Sequence, residues 1–111
     1  MDNKKNNDYY INKILLDLEF LIKHTKDINR DEFEKNELLL DSIMFRFIQI
    51  SEHIKKLTTT FRDNHPNIPW RDIIGLRNRI IHEYGTIDLD NIYNTVKEGI
   101  YVIEKLFKSI G

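Results

Sequence analysis

The sequence of 111 residues contains no cysteine, only two prolines and only four glycines. Without cysteine the protein can form no disulfide, hold no metal through thiolates and use no cysteine nucleophile, which is compatible with a reducing compartment. Because proline and glycine are scarce, long stretches of the chain are free of residues that interrupt helices. These absences favour a helical domain that folds without crosslinks.

Two further absences limit the location and the partners of the protein. No uninterrupted apolar run approaches the length of a membrane span, and the N-terminal MDNKKNNDYY lacks the apolar core of a secretory signal. We therefore expect a soluble, cytoplasmic protein with no membrane association. Seventeen basic and eighteen acidic side chains give a net charge of −1, so broad attraction to nucleic acid is not expected.

Basic residues are nevertheless concentrated in one part of the chain. Between Lys55 and Arg79 there are six basic side chains and two acidic ones. Such a segment allows a local anion-binding site, although a solvated charged face is the commoner explanation of a charge run.

Apolar residues recur at spacings of three and four, which predicts an all-α fold. The predicted helices run from near Asp8 to near Lys26, from about Leu39 to Leu57, from Pro69 to Gly85, and from a cap at Thr86, Asp88 or Asp90 to about Phe107. The polar segment DINRDEF between the first two allows a short extra helix. We predict a single domain over residues 1–111, an up-and-down four-helix bundle with residues 1–7 as a flexible tail.

The predicted core is one apolar stripe on each helix. It consists of Ile11, Ile14, Leu15, Leu18 and Ile22 on the first helix, Leu39, Ile43, Phe47, Ile50, Ile54 and Leu57 on the second, and Ile92, Val96, Ile100, Ile103 and Phe107 on the last.

The third helix, WRDIIGLRNRIIHEYG, contains an arginine where an apolar residue is expected. At about 100° per residue, its apolar side chains form an arc with Arg77 near the middle and Leu76 at the margin. The arc consists of Trp70, Ile73, Ile74, Ile80, Ile81 and Tyr84. A guanidinium keeps its charge and is rarely buried without a partner, so this pattern predicts that an anion meets Arg77.

Four polar groups on this helix suggest a reaction. Asn78 and His82 are four residues apart and would be neighbours, with Arg77 and Tyr84 on the adjoining strip. Imidazole is suited to proton transfer near neutral pH and guanidinium to holding a phosphate, so an amide that positions them could complete a site that cleaves RNA without metal. On spacing alone, a salt-bridged surface or a dimer contact is the commoner role of an Arg–His pair, and a buried tyrosine usually serves packing.

Other conspicuous side chains favour structural roles. Trp70 shares the apolar arc, which favours core packing over stacking on a base. His24, His53 and His65 lack metal-ligand spacing, so we expect no metal or cofactor. The chain has no glycine-rich phosphate loop and no paired-aspartate motif, so it is not itself a nucleotidyltransferase.

The segment RNRIIHEYG resembles the R-x-x-x-x-H-x-Y signature of the HepT-like toxins in the HEPN superfamily, with the polar Asn78 directly after the arginine. The resemblance continues through LLLDSIMFRFIQISEHIKKL, HPNIPWRDIIGLRN and YGTIDLDNIYNTVKEGI, which follow the family's order of segments, and it covers nearly the whole chain.

The resemblance implies a homodimer of helical bundles in which two copies of the motif face each other across a cleft. The family's members act as toxins that are metal-independent ribonucleases, which implies an RNA substrate and catalytic roles for Arg77, Asn78 and His82. Glu52 matches a glutamate of the family pattern and is a candidate supporting carboxylate for Arg77. The glycine that usually precedes it is Ser51 here, so slightly different packing is expected.

The resemblance also implies a partner that neutralises the toxin. In similar systems an MNT-type nucleotidyltransferase antitoxin transfers AMP to the tyrosine of the motif, and Tyr84 is the matching residue. Two alternatives remain open. The chain could be a non-catalytic dimeric module that binds a nucleotide or a nucleotidyltransferase, or a structural subunit whose Arg–His strip only joins two protomers.

Overall fold

Helices make up nearly all of the regular structure in a computed structural model that describes residues 6–81 and 85–110. They are α1 (Asn7–Thr25), α2 (Arg30–Lys35), α3 (Glu37–Lys56), α4 (Thr59–Asp63), α5 (Trp70–Ile74), α6 (Leu76–Ile80), α7 (Leu89–Asn94), a π-helical turn (Thr95–Gly99) and α8 (Ile100–Lys108). Across these two ranges there is no strand, and a single antiparallel bridge joins Ile81 to Ile87. The predicted all-α bundle is confirmed.

The core lies where α1, α3 and the C-terminal helical segment meet. Every member of the stripe predicted on the last helix is buried. On α1 and α3 the predicted stripes are buried apart from Leu15, Ile22 and Leu39, which are half-buried at the margin. Hydrophobic periodicity therefore identified the packing faces of the three long helical segments.

The first helix begins earlier than the predicted tail allows. The side chain of Asn6 accepts a hydrogen bond from the backbone N–H of Tyr9, the usual arrangement of an N-cap. Asn7 donates to the Thr58 hydroxyl at 3.2 Å and accepts from the Thr58 N–H at 3.0 Å. Asn6 and Asn7 thus belong to the fold, and residues 1–5 lie outside the described part.

Short helices form on both sides of α3. The extra helix predicted in DINRDEF is α2, which begins with a capping box between Asn29 and Glu32. A second short helix begins in the threonine run after α3. The Thr58 hydroxyl accepts from the Phe61 N–H, and this cap begins α4, an element that the sequence pattern did not predict.

The helix predicted from Pro69 to Gly85 is not continuous, which corrects the sequence prediction. It breaks at Gly75, and the second part, α6, ends at Ile80. Ile81 is extended and pairs with Ile87, and the Asp88 N–H donates to the Ile80 carbonyl at 2.7 Å.

The break changes which side chains face the core. Ile73, Leu76 and Ile80 are buried, so Leu76 belongs to the core rather than to its margin. Arg77 is exposed. The prediction that an apolar arc surrounds Arg77 is therefore wrong for the single chain, because the arc assumed one unbroken helix.

The last helical segment begins at one of the three caps proposed from the sequence. The Asp88 carboxylate accepts from the Asn91 N–H at 3.1 Å, so Asp88 is the cap of α7. Gly85 precedes it with φ of 75°, a conformation that favours glycine. In the part of the chain described, no helix is long and apolar enough to cross a membrane.

A buried carboxylate joins α1 to α3. Asp17 is 3% exposed, and it accepts hydrogen bonds from Arg46 Nη1 at 2.8 Å and Gln49 Nε2 at 3.2 Å. His53 Nδ1 lies 4.0 Å from the other carboxylate oxygen. Burial lowers the pKa of His53, although the nearby Asp17 charge raises it. The four side chains form a polar connection within an otherwise apolar helix contact.

We expect Asp17→Asn to lower the free energy of unfolding by about 2 kcal/mol, because hydrogen bonds to a buried charged group are worth about 1.5–3 kcal/mol. Denaturant unfolding monitored by circular dichroism measures the change. Glu19→Gln removes the same charge from an exposed position of α1 and serves as the control. Equal midpoints for the two variants would show that the Asp17 contacts contribute little to stability.

Candidate functional site

A groove between α3 and the α5–α6 segment brings together three of the residues predicted to form the site. Glu52, Arg77 and Asn78 all line this groove, which has a volume of about 380 Å³. Its other lining residues are Ile48, Ser51, Lys55, Arg71, Ile74 and Gly75. We call it the motif groove.

The motif groove is held together by a contact between α3 and α5. Ser51 is buried, and its hydroxyl donates to the Ile74 carbonyl at 3.3 Å, at the last residue of α5. The next residue along α3, Glu52, is exposed and faces the groove. Ser51 thus fixes the wall of the groove beside the candidate glutamate.

The cation at the centre of the motif is available to a ligand. Arg77 is exposed, and its Nη1 donates to the side-chain oxygen of Asn78 at 3.2 Å. Among the described residues it forms no ion pair. Glu52 instead lies 3.5 Å from Lys55 Nζ, an exposed contact of little energetic weight. Because a guanidinium has five donors, Arg77 retains most of them for an anion such as phosphate.

The other two predicted site residues, His82 and Tyr84, lie outside the described residues. Ile81 and Ile87 form the antiparallel bridge, and Ile80 accepts from the Asp88 N–H. These contacts bring Ile81 and Ile87 together just after α6, the helix that carries Arg77.

Trp70 has the packing role predicted for it, and two of the histidines make local contacts. The Trp70 indole N–H donates to the carbonyls of Arg62 and His65, and its ring packs edge-on against Phe107 with centroids 5.6 Å apart. His65 contacts the Phe61 carbonyl and His24 packs against the Phe20 ring. Over residues 6–81 and 85–110, no group of three or more histidines and carboxylates could hold a metal ion.

Sequence reasoning missed one residue of the groove. Arg71 is exposed, lines the motif groove with Arg77, and forms no ion pair with any residue that the structure describes. The sequence placed it only in the local excess of positive charge. Its position depends on how α5 packs against α3, and helical spacing within α5 alone could not reveal that.

Comparison with known proteins identifies the family. The family described as "Ribonuclease HepT-like" matches residues 14–110. A protein of Caldanaerobacter subterraneus named "Putative RNase TTE0752" is 35% identical over 101 residues, which cover 91% of this chain and 90% of that protein. The protein named "Probable ribonuclease HepT" from Thermococcus cleftensis is 26% identical over 107 residues, covering 96% and 97%.

A third relative is the Methanocaldococcus jannaschii protein named "Putative RNase MJ1380", which is 35% identical over 85 residues, 77% of this chain and 78% of that protein. No solved structure is significantly similar to the chain. The family match over most of the sequence agrees with the resemblance carried by the R-x-x-x-x-H-x-Y segment. The chain belongs to the HepT-like ribonuclease family.

Proposed function

We propose that this protein is a metal-independent endoribonuclease that acts in the cytoplasm as the toxin of a toxin–antitoxin pair. The observation that carries the proposal is the exposed Arg77, free of any acidic partner among the described residues, in a groove shared with Asn78 and Glu52. Membership of the HepT-like ribonuclease family supports RNA as the substrate.

In the proposed reaction the RNA 2′-oxygen attacks the adjacent phosphorus, a bond from phosphorus to the 2′-oxygen forms, and the bond to the 5′-oxygen breaks. His82 either accepts the proton of the 2′-hydroxyl or donates a proton to the leaving 5′-oxygen, and water exchanges the other proton. Arg77 stabilises the charge that develops on the phosphorane. Asn78 orients the guanidinium through its 3.2 Å hydrogen bond. The products are a 2′,3′-cyclic phosphate and a 5′-hydroxyl.

Cleavage of single-stranded RNA by the purified protein in the presence of EDTA tests this function. The function is supported if the parent protein produces RNA fragments with cyclic phosphate ends and the His82→Ala variant does not. RNA binding without cleavage would favour the alternative function, a non-catalytic dimeric module that binds a nucleotide or a nucleotidyltransferase.

An exposed apolar stripe on α3 supports a homodimer. Leu38, Phe45 and Ile48 are 81%, 57% and 41% exposed, and their spacing of seven and three places them along one side of the helix. Ile48 also lines the motif groove. A second copy that covers this stripe would bring two motif grooves close together. The sequence placed the dimer surface around Arg77, whereas these exposed apolar side chains lie on α3.

We expect Phe45→Asp to raise the dimer dissociation constant about thirty-fold, because truncating a well-packed aromatic anchor costs about 2 kcal/mol or more. Sedimentation velocity across a concentration series measures the change. Val102→Asp introduces the same charge at an exposed apolar position of α8 and is the control. A parent protein that stays monomeric at micromolar concentration would contradict the dimer.

A further inference from the structure

A second groove adjoins the motif groove. It has a volume of about 500 Å³ and shares Arg71 and Ile74 with the motif groove. Its remaining lining comes from α4, from the start of α5 and from the residue before it: Thr59, Arg62, Asp63, Pro69, Trp70 and Asp72. Because two residues line both spaces, an extended ligand could pass from one into the other.

Three arginines follow this path. Arg62 lines the second groove, Arg71 lines both, and Arg77 lines the motif groove. Within the described ranges none of the three forms an ion pair with an acidic residue. Arg62 Nε is buried and has no hydrogen-bond partner among those same residues. Guanidiniums that lack an acidic partner and line adjoining grooves are typical of a phosphate-backbone contact.

The charges of the second groove also indicate where a phosphate would bind within it. Asp63 and Asp72 line the groove and are exposed. Their carboxylates repel phosphate from the part of the groove that they border, which leaves the shared Arg71 as the favoured phosphate contact. The apolar lining of the groove comes from Pro69, Ile74 and the half-buried Trp70, which packs against Phe107 with one part of its surface and borders the groove with another. Such apolar surface suits the flat face of a base.

We propose that the second groove is a subsite for the nucleotide next to the cleaved phosphate of a single-stranded RNA, with its phosphate at Arg71 and its base against Pro69, Trp70 and Ile74. The proposal rests on the ribonuclease function and adds a strand path to it. The RNA runs from Arg77, past Arg71, toward Arg62.

Binding of uncleavable oligonucleotides tests the subsite without depending on catalysis. Fluorescence anisotropy with 2′-O-methyl dinucleotides and hexanucleotides measures how much affinity the additional nucleotides contribute. Thr59→Glu adds bulk and negative charge to the second groove, whereas Thr60→Glu makes the same change at an adjacent exposed residue outside it. We expect hexanucleotide affinity to be about tenfold lower for Thr59→Glu than for Thr60→Glu, which is about 1.4 kcal/mol.

A second matched pair tests the shared arginine. Arg71→Gln should weaken hexanucleotide binding about tenfold relative to Arg79→Gln, since Arg79 is exposed but lines neither groove. Both variants remove one positive charge, so the difference reports position and not net charge. Unfolding midpoints confirm that each variant is folded.

Equal affinities within both pairs would overturn the subsite. If the protein nevertheless cleaves RNA, the ribonuclease proposal stands and only the strand path is wrong. If the predicted differences appear but no RNA is cleaved under any condition, the strand path stands and the ribonuclease proposal fails.

Discussion

Replacing His82 or Arg77 with alanine should lower the rate of RNA cleavage by about two to four orders of magnitude. Removing a proton-transfer group typically costs that much, and so does removing a cation that stabilises transition-state charge. Growth arrest on expression should disappear with the activity. Single-turnover cleavage of a labelled RNA gives the rate, and plating after induction gives the toxicity.

The structure supplies a control for this experiment. Arg79 lies two residues from Arg77 on α6, is also exposed, and lines neither groove. Arg79→Ala should therefore keep cleavage near the parent rate. Because Arg77 is exposed, Arg77→Ala should leave the helical content and the dimer unchanged. A His82→Ala variant as toxic as the parent would rule out the ribonuclease assignment and favour a binding module.

The helical bundle could be predicted from the sequence because the features that specify its helices are local. The apolar spacing in the last helix identified Ile92, Val96, Ile100, Ile103 and Phe107, and all five are buried. Caps are equally local, since Asp88 accepts from a backbone N–H three residues away. Both features follow from helix geometry and need no knowledge of the tertiary fold.

The break at Gly75 could not be read in the same way. One continuous helix gives a plausible apolar face for Trp70, Ile73 and Ile74, and the sign against it was Arg77 near the middle of that face. The chain instead buries Leu76 and Ile80 and pairs Ile81 with Ile87. The broken arrangement depends on the pairing of Ile81 with Ile87 and on packing against α3. These are tertiary contacts, and the local pattern of apolar residues does not contain them.

Asp17 was missed for a related reason. In the sequence it is one acid within an apolar stripe, and nothing nearby signals that it is buried. Its partners Arg46 and Gln49 come from α3, 29 and 32 residues away. A buried charge becomes intelligible only when the helix pair that satisfies it is known.

The candidate site could be predicted from the sequence only in part. The motif indicated that Arg77 and Asn78 act with Glu52, and the three line one groove although α3 and α6 are separate elements. The same motif said nothing of Arg71, whose place depends on the packing of α5. The exposure of Arg77 also changes the physical reading of the motif. An exposed guanidinium without an acidic partner in the described chain is free to bind a substrate phosphate, whereas a buried one would need a fixed partner.

That free guanidinium gives the expected neutralisation a physical basis. We expect co-expression with the cognate MNT-type nucleotidyltransferase to raise the intact mass of the protein by whole AMP units joined through the Tyr84 phenolic oxygen. Cleavage should fall as the modified fraction rises. Each phosphodiester adds a permanent negative charge that competes with RNA for a cationic site such as Arg77, and the attached base adds bulk. Intact-mass spectrometry and the cleavage assay measure the two quantities on the same sample.

Tyr84→Phe should abolish this modification, because it retains the ring and removes the acceptor oxygen. The variant should remain toxic in cells that contain the partner, and the partner should still bind it. Tyr93→Phe is the matched control, since Tyr93 lines neither groove. Its ring packs against Phe33 with centroids 5.2 Å apart, and the cationic groups of Arg30 and Lys97 lie near the same ring. It should be modified and neutralised like the parent. Equal modification of Tyr84→Phe, or equal silencing of it by a catalytically inactive partner, would assign neutralisation to a different residue or to binding alone.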